Sequence, residues 1–331
     1  SLNCTATGDN ATCYGPNAVA NGEGTTAIGA NANTTGTSSV SLGRNANAQG
    51  SNNIAIGNGA TASNTSGGAT ALGGNAAATS QGSTALGWGS NSSGGWATAV
   101  GTDSSASALN SIALGRGAVS SSTDSMALGT SANASGTSAT ALGRGASARE
   151  SGAVALGANT VANGENNIAI GREANATAGS APNSGTIAIG YSSNAFGSAA
   201  TALGDQTRAN GNFTTASGYR ANATGTSATA LGDRASASAT SATALGAQAN
   251  ASGSYSSALG TSAIASGTAA TALGQSANAS GSAAIALGSA SKASGTSAMS
   301  LGLRATASGS YSTALGSDAT AAFTNSTAVG T

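Results

Sequence analysis

The sequence predicts an all-β protein, a parallel β-roll or solenoid built from short stacked coils. Three observations predict it. First, 23 glycines fall on one ruler, from Gly15 through Gly29, Gly43 and Gly57, from Gly73 to Gly171, and from Gly190 to Gly330. Of its 22 intervals, 20 are 14 residues long; Gly57 to Gly73 and Gly171 to Gly190 are longer. Second, the residue just before each ruler glycine is aliphatic in 21 of 23 cases, and the residue three before is β-branched in 20 of 23. Third, the third residue after the glycine is alanine in 16 of 22 coils. Self-similarity at a short fixed period marks a stacked array in which each unit touches its neighbours.

The first element of each coil is the strand that ends at the glycine. Residues such as Thr26-Ala27-Ile28 and Val40-Ser41-Leu42 alternate with period two and are rich in β-branched side chains, which fits a short strand with one buried face. The aliphatic column is read as the core ladder: Ile28, Leu42, Ile56, Leu72, Leu86, Leu114, Leu142, Ile170, Leu203, Leu245, Leu287 and Leu315. After the glycine come two variable residues and then small residues at the third and fifth places, as in Ala46 and Ala48, which predict a second strand with a methyl-lined inner face. A second glycine closes the coil at the seventh place in 14 of 22 cases, where a tight turn needs positive φ or close backbone contact. Coils stacked at about 4.8 Å would give a rod of about 110 Å. A helical reading fails, because glycine would recur inside every helix at about 1 kcal/mol each and the apolar spacing is two.

Composition supports one elongated body. The division expected is an N-terminal cap over residues 1–14 and a continuous roll over 15–331. Charged residues make up 6% of the chain, ten of each sign, against roughly 25% in ordinary soluble proteins. Nucleic acid and anionic membranes call for clustered Lys and Arg, so neither is a partner on this composition. The Gly, Ser and Thr content would also suit a disordered spacer, but the period is too strict for one. No apolar run reaches the roughly 18 residues of a membrane-spanning helix. The start at Ser1 fits a processed or excised piece.

Cys4 and Cys13 are the only cysteines, and a local disulfide that caps the first coil in an oxidising, extracellular setting is the favoured reading. A metal site is the weaker alternative, since two thiols without histidine cannot complete a tetrahedral shell unaided. A coil of two strands encloses little volume, so the roll is expected to need partners to bury its aliphatic column. The spacing does not distinguish three chains from two.

The repeat resembles the head repeat of trimeric autotransporter adhesins of the Yersinia-adhesin type, which reads roughly N-S-V-A-I-G-x-x-S-x-A-x-G-x. Asn52-Asn53-Ile54-Ala55-Ile56-Gly57 and Asn166-Asn167-Ile168-Ala169-Ile170-Gly171 match it best, and Thr-Ala-Leu-Gly is the commoner local variant. The resemblance covers about Gly15 to Thr331. It implies a left-handed parallel β-roll, a side-by-side homotrimer, and display at a cell surface to bind host matrix or other surfaces. The serine of the family pattern is usually alanine here, although Ser90, Ser104, Ser193 and Ser291 keep it. No neck, heptad stalk or membrane anchor is seen in the chain, so cell attachment has no support from it.

Chemistry is sparse. Without histidine, and with ten scattered acids, no general-base constellation, cofactor site or metal site can be named, and the chain reads as non-enzymatic. Arg172 with Glu173 and Asp233 with Arg234 are read as solvated ion pairs on an exposed turn. Aromatic residues near the turns, Trp88, Trp96, Tyr191 and Tyr219, are candidates for ligand contact or for covering a seam between chains. The longer intervals predict projecting loops, one within Ala62 to Gly68 and one over Thr177 to Gly185 that contains Pro182. Sequons recur four places after the glycine, among them Asn33, Asn133, Asn175, Asn222, Asn250 and Asn278, and would form a glycan stripe in a eukaryotic secreted fibre.

The resulting reading is an extracellular adhesin head or fibre domain that attaches non-covalently to surfaces or matrix by polyvalent display. A structural filament, or a phage or virus tail-fibre segment without ligand recognition, is the alternative. A threonine row through Thr70, Thr84 and Thr98 and again through Thr201, Thr215, Thr229 and Thr243 makes an ice-binding solenoid a minor third reading.

Overall fold

The protein is described by a computed structural model over residues 3–177 and 185–330. The chain is organised as two compact units, Ser1–Asn163 and Gly164–Thr331. Both are all-β, and the described residues contain no helix.

In the first unit, β1 (Thr5–Ala6) and β2 (Thr12–Tyr14) make the first coil and pair in parallel with β3 (Val19–Asn21) and β4 (Thr26–Ile28) of the second. Residues before Gly15 therefore already build the roll. Each later coil repeats this plan, a three-residue strand that ends at the ruler glycine and a two- or three-residue strand that begins four places after it. The register is one coil per step, as in Thr70↔Thr84, Ala71↔Ala85 and Leu72↔Leu86. The longer interval to Gly73 leaves it intact, with Ile54↔Thr70, Ala55↔Ala71 and Ile56↔Leu72 in line. The second unit follows the same rule, and across its 19-residue interval Ile168, Ala169 and Ile170 still face Ile187, Ala188 and Ile189.

The interior is alanine. In the coil around Gly43 the fully buried positions are Ser39 and Ser41 before the glycine and Ala46 and Ala48 after it. The same four places are buried around Gly232, where Ala228, Ala230, Ala235 and Ala237 have no exposed surface. The middle residue of the strand thus points inward and its two neighbours point outward. This corrects the expected core ladder. Ile28, Ile56, Leu114, Ile170 and Leu203 are half-buried. Leu42, Leu72, Leu86, Leu142, Leu245, Leu287 and Leu315 are exposed, Leu315 by 47%. Period-two alternation fixes which residues share a face but not which face turns inward. A coil with two short walls leaves room for methyl groups between them, so alanine takes the interior and the larger side chains are turned out.

Both turns of the coil use left-handed backbone. The second place after the ruler glycine and the ninth carry φ near 55°, at Asn45 and Asn52 for example. Asn, Ser, Asp and Gly predominate at these places, as their tolerance of that region requires. The ruler glycine itself combines positive φ with close approach. At Gly143 φ is 136°, and a Cβ would lie 2.3 Å from the carbonyl oxygen of Gly157 in the next coil.

Several buried hydroxyls bond to the turns. Ser39 Oγ donates to the Gly50 carbonyl at 2.6 Å and accepts from the Asn53 N–H at 3.0 Å. Cys4 and Cys13 are joined by a disulfide with a Cα–Cα distance of 6.0 Å, packed against Ala18, Ala20, Ala27 and Ala32. It ties the two walls of the first coil together.

Candidate functional site

Each coil presents two outward faces and two turn edges, and each carries different chemistry. The outward face of the first strand is apolar. In the second unit it holds, coil by coil, Ile187 with Ile189, Thr201 with Leu203, Thr229 with Leu231, Thr243 with Leu245 and Thr271 with Leu273. The threonines noted in the sequence lie on this face, half-buried beside the leucines. Ser217 interrupts the leucine row between Leu203 and Leu231. An apolar row this regular and this exposed is unusual for a surface that faces water.

The outward face of the second strand is mostly a row of amides and hydroxyls, interrupted by residues such as Val119, Arg208, Ile264 and Lys292. Asn33, Asn133, Asn175, Asn222, Asn250 and Asn278 all open second strands and are half-buried. Amides stack where they meet, as Asn33 Nδ2 donates to Asn47 Oδ1 at 3.2 Å. A parallel ladder runs along the adjacent turn from Asn17 through Asn31 to Asn45.

The turn edge after the ruler glycine carries most of the charges. Arg304 reaches the next coil and donates twice to Asp318, from Nε at 2.6 Å and from an Nη at 2.8 Å. That bidentate hydrogen bond holds the Asp318 carboxyl below the usual carboxylate range and raises Arg304. Asp233 and Arg234 make a looser pair at 3.8 Å. Arg172 and Glu173 are not paired with each other in this way: Glu173 accepts from Ser192 Oγ at 3.0 Å, and Arg172 stacks over the Tyr191 ring at 4.5 Å. Arg220 and Arg234 lie over the Tyr219 ring at 4.9 and 5.6 Å. Among the described residues no group of His, Cys, Asp and Glu is arranged to hold a metal.

Tyr191 and Tyr219 are therefore brought into one Arg-rich edge of the second unit. Trp88 and Trp96 are not. They lie in the first unit on opposite turns of one coil, each 58% exposed. Their rings rest over glycines of the preceding coil, so that a Cβ at Gly74 or Gly82 would meet Trp88 or Trp96. Trp96 holds φ of 51°, and Phe213, Tyr255 and Tyr311 share that turn position and conformation. Bulky residues seldom adopt it. Pro182 and most of the longer loop, residues 178–184, lie outside the described residues.

Beside Tyr191 and Tyr219 is an open groove of about 500 Å³ lined by Ser192, Asn194, Gln206, Arg208, Arg220 and Asn222. No sequence motif marks Ser192, Asn194, Gln206, Arg208 and Asn222 as a group. Their signal was positional, since Arg208 occupies a place held by asparagine in both adjoining coils.

A comparison with curated proteins found no match. The family model of the YadA head domain repeat, which describes two copies at a time, matches in twelve spans: 6–32, 35–60, 65–90, 93–118, 120–146, 148–174, 181–207, 209–235, 237–263, 265–291, 293–319 and 307–331. With the ruler glycines, the parallel coils and the alanine interior already established, the chain belongs to the YadA head-repeat family of trimeric autotransporter adhesins.

Proposed function

We propose that the chain is a non-enzymatic, surface-displayed attachment domain that works as a homotrimer. The observation that carries this reading is the outward row of large aliphatics, including Leu245, Leu273, Leu287 and Leu315, each at least 40% exposed in the single chain. Three copies packed through these rows would take them out of water, at about 25 cal/mol for each Å² of apolar surface removed. The amide and hydroxyl faces and the Arg-rich edges would then point outward in three copies. Identical weak contacts on three chains reinforce one another by effective concentration, so matrix or cell-surface molecules are held without a single deep site. The extracellular setting is supported by the family and by the cystine. In a host that glycosylates Asn-x-Ser/Thr sites, Asn33, Asn133, Asn175, Asn222, Asn250 and Asn278 would carry glycans on the face opposite the apolar row.

The test is retention of the chain on a surface coated with extracellular matrix extract, compared with a Leu245→Asp, Leu273→Asp variant. Retention of the parent chain at least tenfold above the variant is expected. Equal retention removes polyvalent display, and no retention of either favours the structural-filament reading.

A further inference from the structure

We propose that the groove between Arg208 and Arg220 is a binding site for an acidic saccharide. The proposal rests on the adhesive reading above and names the ligand class it would take. The groove is a grid. Ser192, Gln206 and Arg220 stand two places after successive ruler glycines, and Asn194, Arg208 and Asn222 stand four places after the same glycines. Parallel register puts Asn194, Arg208 and Asn222 side by side.

Charge comes first. The lining carries two guanidinia and no carboxylate. Among the described residues the ion pairs are those of Arg234 and Arg304, so neither Arg208 nor Arg220 is neutralised by one. Asp205 and Asp233 lie on the same turn edge but do not line the groove. Arg220 is also held in place: its Nε donates to Gln206 Oε1 at 2.9 Å and its guanidinium lies over Tyr219. A guanidinium fixed through Nε and a ring face keeps its Nη donors for a planar anion such as a carboxylate or sulfate, with little ordering left to do on binding.

The remaining lining favours a saccharide over an acidic peptide. None of the six lining residues has an apolar side chain. Sugar hydroxyls donate and accept, and they match the mixed amide and hydroxyl set of Ser192, Asn194, Gln206 and Asn222. A polyglutamate side chain offers acceptors only, so the amide and hydroxyl acceptors of the lining could be met only by the single N–H of each backbone unit.

The experiment measures affinity of the full chain for hyaluronan, heparin, neutral dextran and poly-L-glutamate by calorimetry in 0.15 M NaCl. Hyaluronan and heparin, whose comparison separates carboxylate from sulfate recognition, should bind about tenfold or more tighter than dextran and polyglutamate. Arg208→Ala with Arg220→Ala should lower that affinity about tenfold or more, and Asn222→Ala about threefold, whereas Arg116→Ala in the first unit should leave it unchanged. The mutated arginines are exposed, so circular dichroism should be unchanged. Equal binding of polyglutamate, unchanged affinity in the double variant, or an equal loss in Arg116→Ala overturns the proposal. Retention of the double variant on matrix extract separates the two readings: if it persists while saccharide binding is absent, the saccharide site fails and the adhesive reading stands.

Discussion

Asn53 Oδ1 accepts a hydrogen bond from the backbone N–H of Ala69 at 2.8 Å, across the 16-residue interval of the first unit. In an ordinary coil that N–H bonds within its own turn, as Ala139 N does to Gly136 O at 3.1 Å. The two inserted residues take that carbonyl away, and the buried amide replaces it. Asn53 Nδ2 meanwhile donates to the Asn64 carbonyl at 2.8 Å. The second unit repeats the device: Asn167 Oδ1 accepts from Thr186 N at 2.9 Å and Nδ2 donates to Ala176 O at 3.0 Å.

Asn53→Ala leaves buried backbone groups without partners and should cost about 1–3 kcal/mol. Thermal unfolding checks the loss, and amide exchange at Ala69 should accelerate in the variant while exchange in distant coils does not. Asn47→Ala, on the outward face, should fall within about 0.5 kcal/mol of the parent.

Gly143→Ala forces a Cβ towards the Gly157 carbonyl at a φ that L residues rarely hold, and should cost more than about 2 kcal/mol. Gly117 has φ of 63° and only the Ser131 hydroxyl within reach, at 3.7 Å. Asparagine holds this turn place in other coils, so Gly117→Asn should stay within about 0.5 kcal/mol of the parent. Chemical denaturation of both variants checks the contrast.

The period, the two strands per coil, the two turns and the in-register stacking were legible in the sequence, because each coil repeats the last and a strand announces its own alternation. The direction of the strand's faces was not. Thr140, Ala141 and Leu142 are all compatible with burial, and the choice depends on the width between walls. Alanine at the middle place in 20 of 23 strands was the signal, since only an interior too narrow for leucine requires it so uniformly. Asn53 and Asn167 were also legible in principle. Both close the Asn-Asn pair of the two Asn-Asn-Ile-Ala-Ile-Gly stretches, and each stretch directly precedes a long interval. The groove was not, because Arg208, Arg220 and Asn222 meet only once the coil register is known.

Cys13→Ser opens a short loop and should cost about 2–3 kcal/mol if the first coil unfolds with its unit. Reduction should loosen Thr5–Ala6 and Thr12–Tyr14 first, seen as faster amide exchange there than around Ala99.

The Arg304–Asp318 pair predicts a pH effect of definite sign. The carboxyl is depressed in the folded chain, so its contribution is present above the unfolded value of about 3.9 and is lost as pH falls through the lower folded value. The melting temperature of Asp318→Asn should therefore lie slightly below the parent at pH 7 and converge with it near pH 2. Both side chains are more than half exposed, so high salt should shrink the difference.

The most direct test is the native mass of the purified chain by light scattering coupled to size exclusion, run beside Leu245→Asp, Leu273→Asp. If the outward aliphatic row is the interface, the parent elutes as three chains and the variant as a folded single chain with an unchanged β spectrum. A parent that is monomeric, or a variant that remains trimeric, contradicts assembly through that row.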